Sequence, residues 1–345
     1  MTFKNWQLWL GIGLVVLLVY ATKAILLPFL MGLAVAYLLD PVADKFESWK
    51  FPRWVATVTV LFLFFLAMGG FVFAIFPLLR AQLGGFITSL PDYFAAARPI
   101  FTDFWAWFNE TFEFGKSLNT DNFIEEASKT ALAKLGDILA GFWSGGMAVF
   151  NLLTLLLITP VVAFFMLRDW DILIAKIDSL VPRKNRETVR KVSRDIDTAL
   201  GGFVRGQTMA ALIMAFIYAV GWSFVGLEYA LVLGLIGGIM AYIPFVGALF
   251  TLLLALLIGI GQYGLDYQLL LVFLVYGVVQ GIEGVFLTPN LVGSKVRLHP
   301  VWVLFAIFAG GEIMGFTGVL IAVPAAAVIG VLVRFYVGAY LDSSL

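Results

Sequence analysis

Thirty-seven consecutive residues, from Tyr229 to Leu265, carry no charged side chain. A helix needs about 20 apolar residues to cross a bilayer. The run is therefore too long for one straight crossing and short for two. Its middle reads Tyr242, Ile243, Pro244, Phe245, Val246, Gly247. The proline supplies no amide hydrogen, and the glycine adopts conformations closed to other residues. The run thus predicts a helix broken inside the membrane at Pro244 and Gly247. Such a break is tolerated only where protein or water satisfies the freed backbone groups. Gly234 and Gly238, four residues apart, let a second backbone approach closely.

The same pattern returns at the C-terminal end. Leu298 to Val333 is 36 residues with one charge, Glu312, and its interruption is glycine-rich: Gly310, Gly311, Gly315 and Gly318. Elsewhere the uncharged runs are simpler. Asn5 to Thr22 and Ala24 to Leu39 read as two spans in a hairpin turning at Lys23. Trp54 to Leu79 is a third span closed by Pro77 and Arg80, and a fourth runs from about Gly146 to Leu167. Gly206 to Leu227 is a fifth. Tyr267 to Leu287 is a seventh, interrupted by Glu283. With 62% hydrophobic and 13% charged residues, against about 25% charged in a soluble domain, the fold class is all-α integral membrane. It has about eight transmembrane helices, with broken or re-entrant segments in the C-terminal half.

Charge divides the remainder. Arg80 to Asp137 holds eight acids and five basic residues. Leu83, Phe86, Leu90, Phe94, Phe101 and Phe108 recur there at helical spacing. Asn122 and Glu125 read as the cap of a second amphipathic helix, so this region predicts an external helical hairpin. Arg168 to Arg205 has nine basic residues against six acids, with Val189, Val192, Ile196, Leu200 and Phe203 on one helical face. The positive-inside rule places it in the cytoplasm, and both termini with it. The small basic group of Lys295, Arg297 and His299 then falls outside, against that rule. Five regions follow: three spans in 1–79, the extracytoplasmic amphipathic region 80–145, the fourth span 146–167, the basic loop 168–205 and a C-terminal core 206–345.

The net charge is zero and gives no reason to expect nucleic acid as a partner. With no cysteine and one histidine, thiol chemistry and multi-histidine metal sites are excluded. No cofactor is expected. No phosphate-cradling loop, serine–histidine pair or metal-ligand spacing points to an ATPase or a hydrolase. What stands out is ionisable groups in apolar surroundings, which cost about 2.5–3.5 kcal/mol each at mid-bilayer and usually face a cavity or a partner. Glu283 lies one turn after Gln280, so both reach the same cavity, and Gly277, Gly281 and Gly284 leave room beside them. Glu312 sits among glycines able to expose carbonyl groups. Arg205 and Gln207 enter the fifth span, where Arg205 serves either to bind an anionic group or to anchor the helix end. His299, before Pro300, is a candidate for a proton-coupled cycle. Glu228 and Asp266 read as boundary charges. Close spacing at Gly277 and Gly281, and at Gly311 and Gly315, predicts tight helix contacts and is compatible with a homo-oligomer. A short echo between Gly226–Pro244 and Gly315–Pro324 is the kind of pairing that points to a transport site.

The ordered set Val204-Arg205-Gly206-Gln207, Ile243-Pro244-Phe245-Val246-Gly247, Gln280-Gly281-Ile282-Glu283, Pro289, His299-Pro300, Gly310-Gly311, Gly315-Phe316-Thr317-Gly318 and Val323-Pro324 resembles the autoinducer-2 exporter family of bacterial permeases. The resemblance runs from about Gly201 to the C-terminus; the first half agrees in layout only. It implies a non-enzymatic multi-pass permease of the bacterial inner membrane, moving a small polar solute without ATP. Some members are linked to export of autoinducer-2, and others resemble sodium/proton antiporters. Glu283, Glu312, Gln280, Arg205, Gln207, Pro244, Gly247 and His299 would line the path. A membrane scaffold working through its external hairpin is the reading from outside transport.

Overall fold

The computed structural model describes residues 21–112, 146–293 and 298–343, with isolated positions at 13–14, 17–18, 125–126, 129–130 and 133. The expected first span, the cap at Asn122, and Lys295 and Arg297 therefore lie largely or wholly outside the described residues. Every described element is helical. A 3-10 turn, Lys23–Ile25, leads into α1 (Leu26–Ser48). Then come α2 (Arg53–Phe112), α3 (Gly146–Leu180), α4 (Arg186–Val225), α5 (Ala230–Met240) and α6 (Val246–Tyr263). Next is α7 (Tyr267–Ile282), which continues as a π-helix over Glu283–Gly293, and last α8 (Pro300–Ser343). Among the described residues, six helices are long and apolar enough to cross a membrane.

One expectation is corrected here. Pro77 and Arg80 do not end the helix of the third span: α2 is a single 60-residue helix with Pro77, Pro91 and Pro99 inside it. A proline removes one hydrogen bond and crowds the preceding turn. The apolar residues keep helical spacing on both sides, so each proline interrupts one bond without ending the helix.

The chain divides into two compact units. The first comprises Met1–Met68, Asn151–Gly206 and Leu291–Leu345. Its core joins Ala36, Leu39 and Ala43 of α1 to Val60 and Leu61 of α2 and to Ala163 and Leu167 of α3. A second cluster sets Ala199 and Phe203 of α4 against Val323, Ala327 and Val331 of α8, with Val192 and Ile196 packed on it. The apolar stripe read in the basic loop is thus that helix's packing face. Beside it, Asp178 receives two 2.7 Å hydrogen bonds from Arg190, which hold its carboxyl below the usual carboxylate range. That contribution is present above the ordinary carboxylate pKa of about 3.9 and is lost as pH falls through the lowered value.

Arg53 is the polar knot of this unit. Its guanidinium reaches Asp40 at 2.7 Å, Asp44 at 2.5 Å and Glu47 at 3.1 Å, and donates to the Leu167 carbonyl at 3.0 Å. The carboxylates are partly exposed, so solvent screens much of each pair. The expected cost of Arg53→Ala is about 1–3 kcal/mol, read as a lower melting temperature of the purified protein. Arg53→Lys is expected to recover only part of it, because an ammonium lacks the fork that serves three carboxylates together.

α8 is two arms folded on each other. Gly315 has φ 62° and ψ −142°, a conformation closed to ordinary residues. The backbones of Gly310 and Gly318 touch, and Leu298 meets Gly330, so the arms run antiparallel about Met314. The first arm, Pro300 to Met314, is about 22 Å long at 1.5 Å per residue, short of the roughly 30 Å hydrocarbon layer. The expected break in the eighth span is a turn at Gly315 that folds the helix back on itself. Lys23 donates to the Ile313 carbonyl at its tip at 3.2 Å, supplying a donor where the helix has run out.

The second unit comprises Gly69–Phe150 and Gln207–Asn290. Here α5 lies against α4, with Gly234 on Ala219 and Gly238 on Ala215. A side chain at either glycine would overlap the facing helix, as the spacing predicted. α5 and α6 form a second antiparallel hairpin, in which Gly237 faces Thr251. Its open end is closed by Gln262, which accepts from the Glu228 amide at 2.8 Å and donates to the Gly226 carbonyl at 2.9 Å. Glu228 also receives the Tyr93 hydroxyl, so it is a structural anchor beyond a boundary charge. Within the chain Gly277 and Gly281 meet nothing within 4 Å; close approach of helices falls at Gly234, Gly238, Gly310 and Gly318.

Candidate functional site

In the second unit, α4 presents Gln207, Ala211, Met214, Tyr218 and Trp222 at intervals of three and four residues, which is one helical face. All five are buried. Tyr218 and Trp222 stack with ring centres 4.6 Å apart, and Tyr276 of α7 lies parallel to Tyr218 at 6.2 Å. Trp222 donates to the Val272 carbonyl at 3.2 Å, and Tyr276 to the Ala248 carbonyl at 3.1 Å. This aromatic slab fixes α4, α6 and α7 around the break in the α5–α6 hairpin.

Met240 ends α5 and Val246 begins α6. Between them Phe245 takes φ 64°, and Pro244 has no amide hydrogen to offer. The freed groups find protein partners. Gln207 donates to the Ala241 carbonyl at 2.6 Å, and the Thr208 hydroxyl meets that of Tyr242 at 2.5 Å. Gly247 packs directly on the Met240 carbonyl. Satisfying the backbone in this way is what permits non-helical chain at membrane depth.

Glu283 comes to this break from α7. The α-helix ends at Ile282 and the π-helix begins at Glu283; π-helical turns are rare and occur often at functional positions. Gln280 donates to the Tyr218 hydroxyl at 3.2 Å. Glu283, Gln280, Tyr218, Pro244, Phe245 and Thr251 line one small cavity of ≈ 10 Å³, room for about one water. The arrangement joins one carboxylate, an amide, one phenol oxygen and a helix break. It can hold a proton, or a water or small cation, and is too small in this state for an organic solute.

Of the residues singled out from the sequence, Glu283, Gln280 and Pro244 thus line one cavity, and Gly247 and Gln207 hold the break beside it. Arg205, Glu312 and His299 belong to the first unit. There Arg205 borders a larger cavity beside Tyr37. Glu312 is exposed on the first arm of α8. His299 is exposed, and its Nδ1 accepts from the Val301 amide at 3.3 Å, so it caps α8. Tyr218, Trp222 and Tyr276 were not read from the sequence as part of the site. Their spacing, four residues between Tyr218 and Trp222, was the available signal.

The profile described as AI-2E family transporter matches residues 9–338. The chain belongs to that family. YrrI of Bacillus subtilis (strain 168) is 28% identical over 314 residues, covering 90% of this chain and 86% of the relative. YueF of the same organism is 26% identical, covering 88% and 81%. PerM of Escherichia coli (strain K12) is 23% identical, covering 90% and 87%. The names of these relatives give them provisionally as transport proteins and a permease. As an AI-2E family member the chain is a multi-pass membrane transporter that sits in the lipid bilayer.

Proposed function

We propose that this transporter is a secondary, non-enzymatic permease of the bacterial cytoplasmic membrane that exports a small polar solute, autoinducer-2 or a related signal, with Glu283 carrying the coupling proton. The observation that supports this is the placement of Glu283. A carboxylate on an apolar helix is set at an α-to-π transition, against a broken hairpin, in a cavity of one-water size. Half-buried among apolar groups, it holds its charged form at a cost unless something accompanies it.

The test is uptake of labelled autoinducer-2 into inside-out vesicles holding the wild-type protein. Uptake driven by an imposed proton gradient and abolished by a protonophore is the expected result. Folded protein that moves no labelled signal under any gradient overturns the assignment of autoinducer-2.

A second reading, sodium/proton exchange, is favoured by the size of the same cavity, which suits a cation and excludes an organic solute. It requires sodium-dependent proton movement in proteoliposomes containing this protein alone. A pH-sensitive dye that does not respond to sodium rejects it.

A further inference from the structure

The cavity that Arg205 borders lies wholly within the first unit and differs in kind from the one at Glu283. Its volume is ≈ 190 Å³, well above the roughly 10–15 Å³ that one water needs, so it admits a small solute. Its polar wall is Tyr37 and Asp40 of α1, Trp170 and Asp171 of α3, and Asp197 and Arg205 of α4.

The charges there are only partly matched. Asp40 is already paired with Arg53 at 2.7 Å. Asp197 receives a neutral partner, the Tyr37 hydroxyl, at 3.1 Å. Among the described residues no lysine or arginine forms an ion pair with Asp171 or Asp197. Arg205 likewise has no carboxylate in ion-pair range; its guanidinium reaches only the Tyr37 carbonyl, at 3.5 Å. Asp171, Asp197 and Arg205 are exposed residues that border this space, so two carboxylates and one guanidinium face a common, solvent-reached space of ligand size without pairing to one another. Tyr37 and Trp170 meet edge to face at 6.0 Å, adding an aromatic corner of the sort that attracts cations.

We infer that this cavity binds a small zwitterion, a solute with an ammonium and a carboxylate group such as a short α-amino acid, with Arg205 on the carboxylate and Asp171 and Asp197 on the ammonium. An anion alone would add to the excess negative charge. A neutral polyol would leave both signs unmatched. An amine alone would leave Arg205 without a partner. A zwitterion of this size satisfies all three groups. The site rests on the transporter assignment only for its purpose; the binding itself does not depend on which solute is exported or on coupling at Glu283.

The test is equilibrium dialysis of the purified full-length protein with four probes: L-threonine, ethanolamine, L-lactate and glycerol. L-threonine is expected to bind at least tenfold more tightly than L-lactate or glycerol, with ethanolamine between. Arg205→Gln is expected to lower threonine affinity about tenfold, to the level of ethanolamine, while ethanolamine binding stays within twofold. Asp171→Asn is expected to weaken both amines. A misfolded variant would lose both probes together, so the retained ethanolamine binding separates lost chemistry from lost structure. Binding of lactate or glycerol equal to that of threonine, no binding of any probe by wild type, or an Arg205→Gln protein that holds threonine as well as wild type would overturn the inference. None of these outcomes bears on autoinducer-2 uptake in vesicles, so the two proposals fail separately.

Discussion

Glu283→Gln is expected to lower the initial rate of solute uptake at least a hundredfold while the amount of folded protein in the membrane stays near wild type. Glutamine keeps the shape of the side chain and its hydrogen-bonding oxygen, but it neither binds nor releases a proton at any accessible pH. The neighbours are themselves neutral: Gln280, the Tyr218 hydroxyl and the backbone at Pro244. Removing the charge therefore strands no buried cation, and the usual large penalty for breaking an ion pair does not arise. Stability is expected to hold or rise slightly, since an ionisable group in apolar surroundings is costly. Glu283→Asp, which keeps the carboxyl but withdraws it by one methylene, is expected to restore part of the rate. A Glu283→Gln protein that transports at the wild-type rate would remove Glu283 from the mechanism. Glu312→Gln is expected to be the milder change, because Glu312 is exposed on its arm.

The second large effect is structural. Gly318→Ala is expected to destabilise the protein by about 3 kcal/mol or more, because the new methyl would meet the Gly310 carbonyl, which belongs to backbone and cannot swing aside. Gly315→Ala meets no atom within 4 Å, so its cost is conformational alone, about 1–3 kcal/mol for holding a side chain in that backbone region. Gly338→Ala lies in the same helix with nothing within 4 Å and an ordinary φ. There alanine is expected to be neutral or to stabilise by up to about 1 kcal/mol. Thermal unfolding of the three variants should fall in that order. A Gly318→Ala protein as stable as Gly338→Ala would mean that the arms of α8 do not close on each other.

Much of this was legible in the chain. Runs of 37 and 36 residues are awkward lengths for straight spans, and proline or paired glycines in their middles gave both hairpin turns. Glu283 and Gln280 could be joined because helical spacing puts them one turn apart. Helix length was less legible. Pro77 followed by Arg80 looks like an ending, yet a proline costs about 3 kcal/mol and the helix runs on through it. The Arg205 cavity could not be read at all. Tyr37 is more than a hundred residues from Asp171 and Asp197, and each alone resembles an ordinary charge or ring at a span end. Only the packing of α1, α3 and α4 brings them together.

A hairpin that turns back within the membrane carries the chain across nothing. The α5–α6 pair leaves and returns at the level of Gly226 and Gln262, so its two ends lie together. The two ends of such a pair therefore meet the same surroundings, and any change of length in one helix has to be matched in the other to keep Gln262 within reach of Gly226 and Glu228.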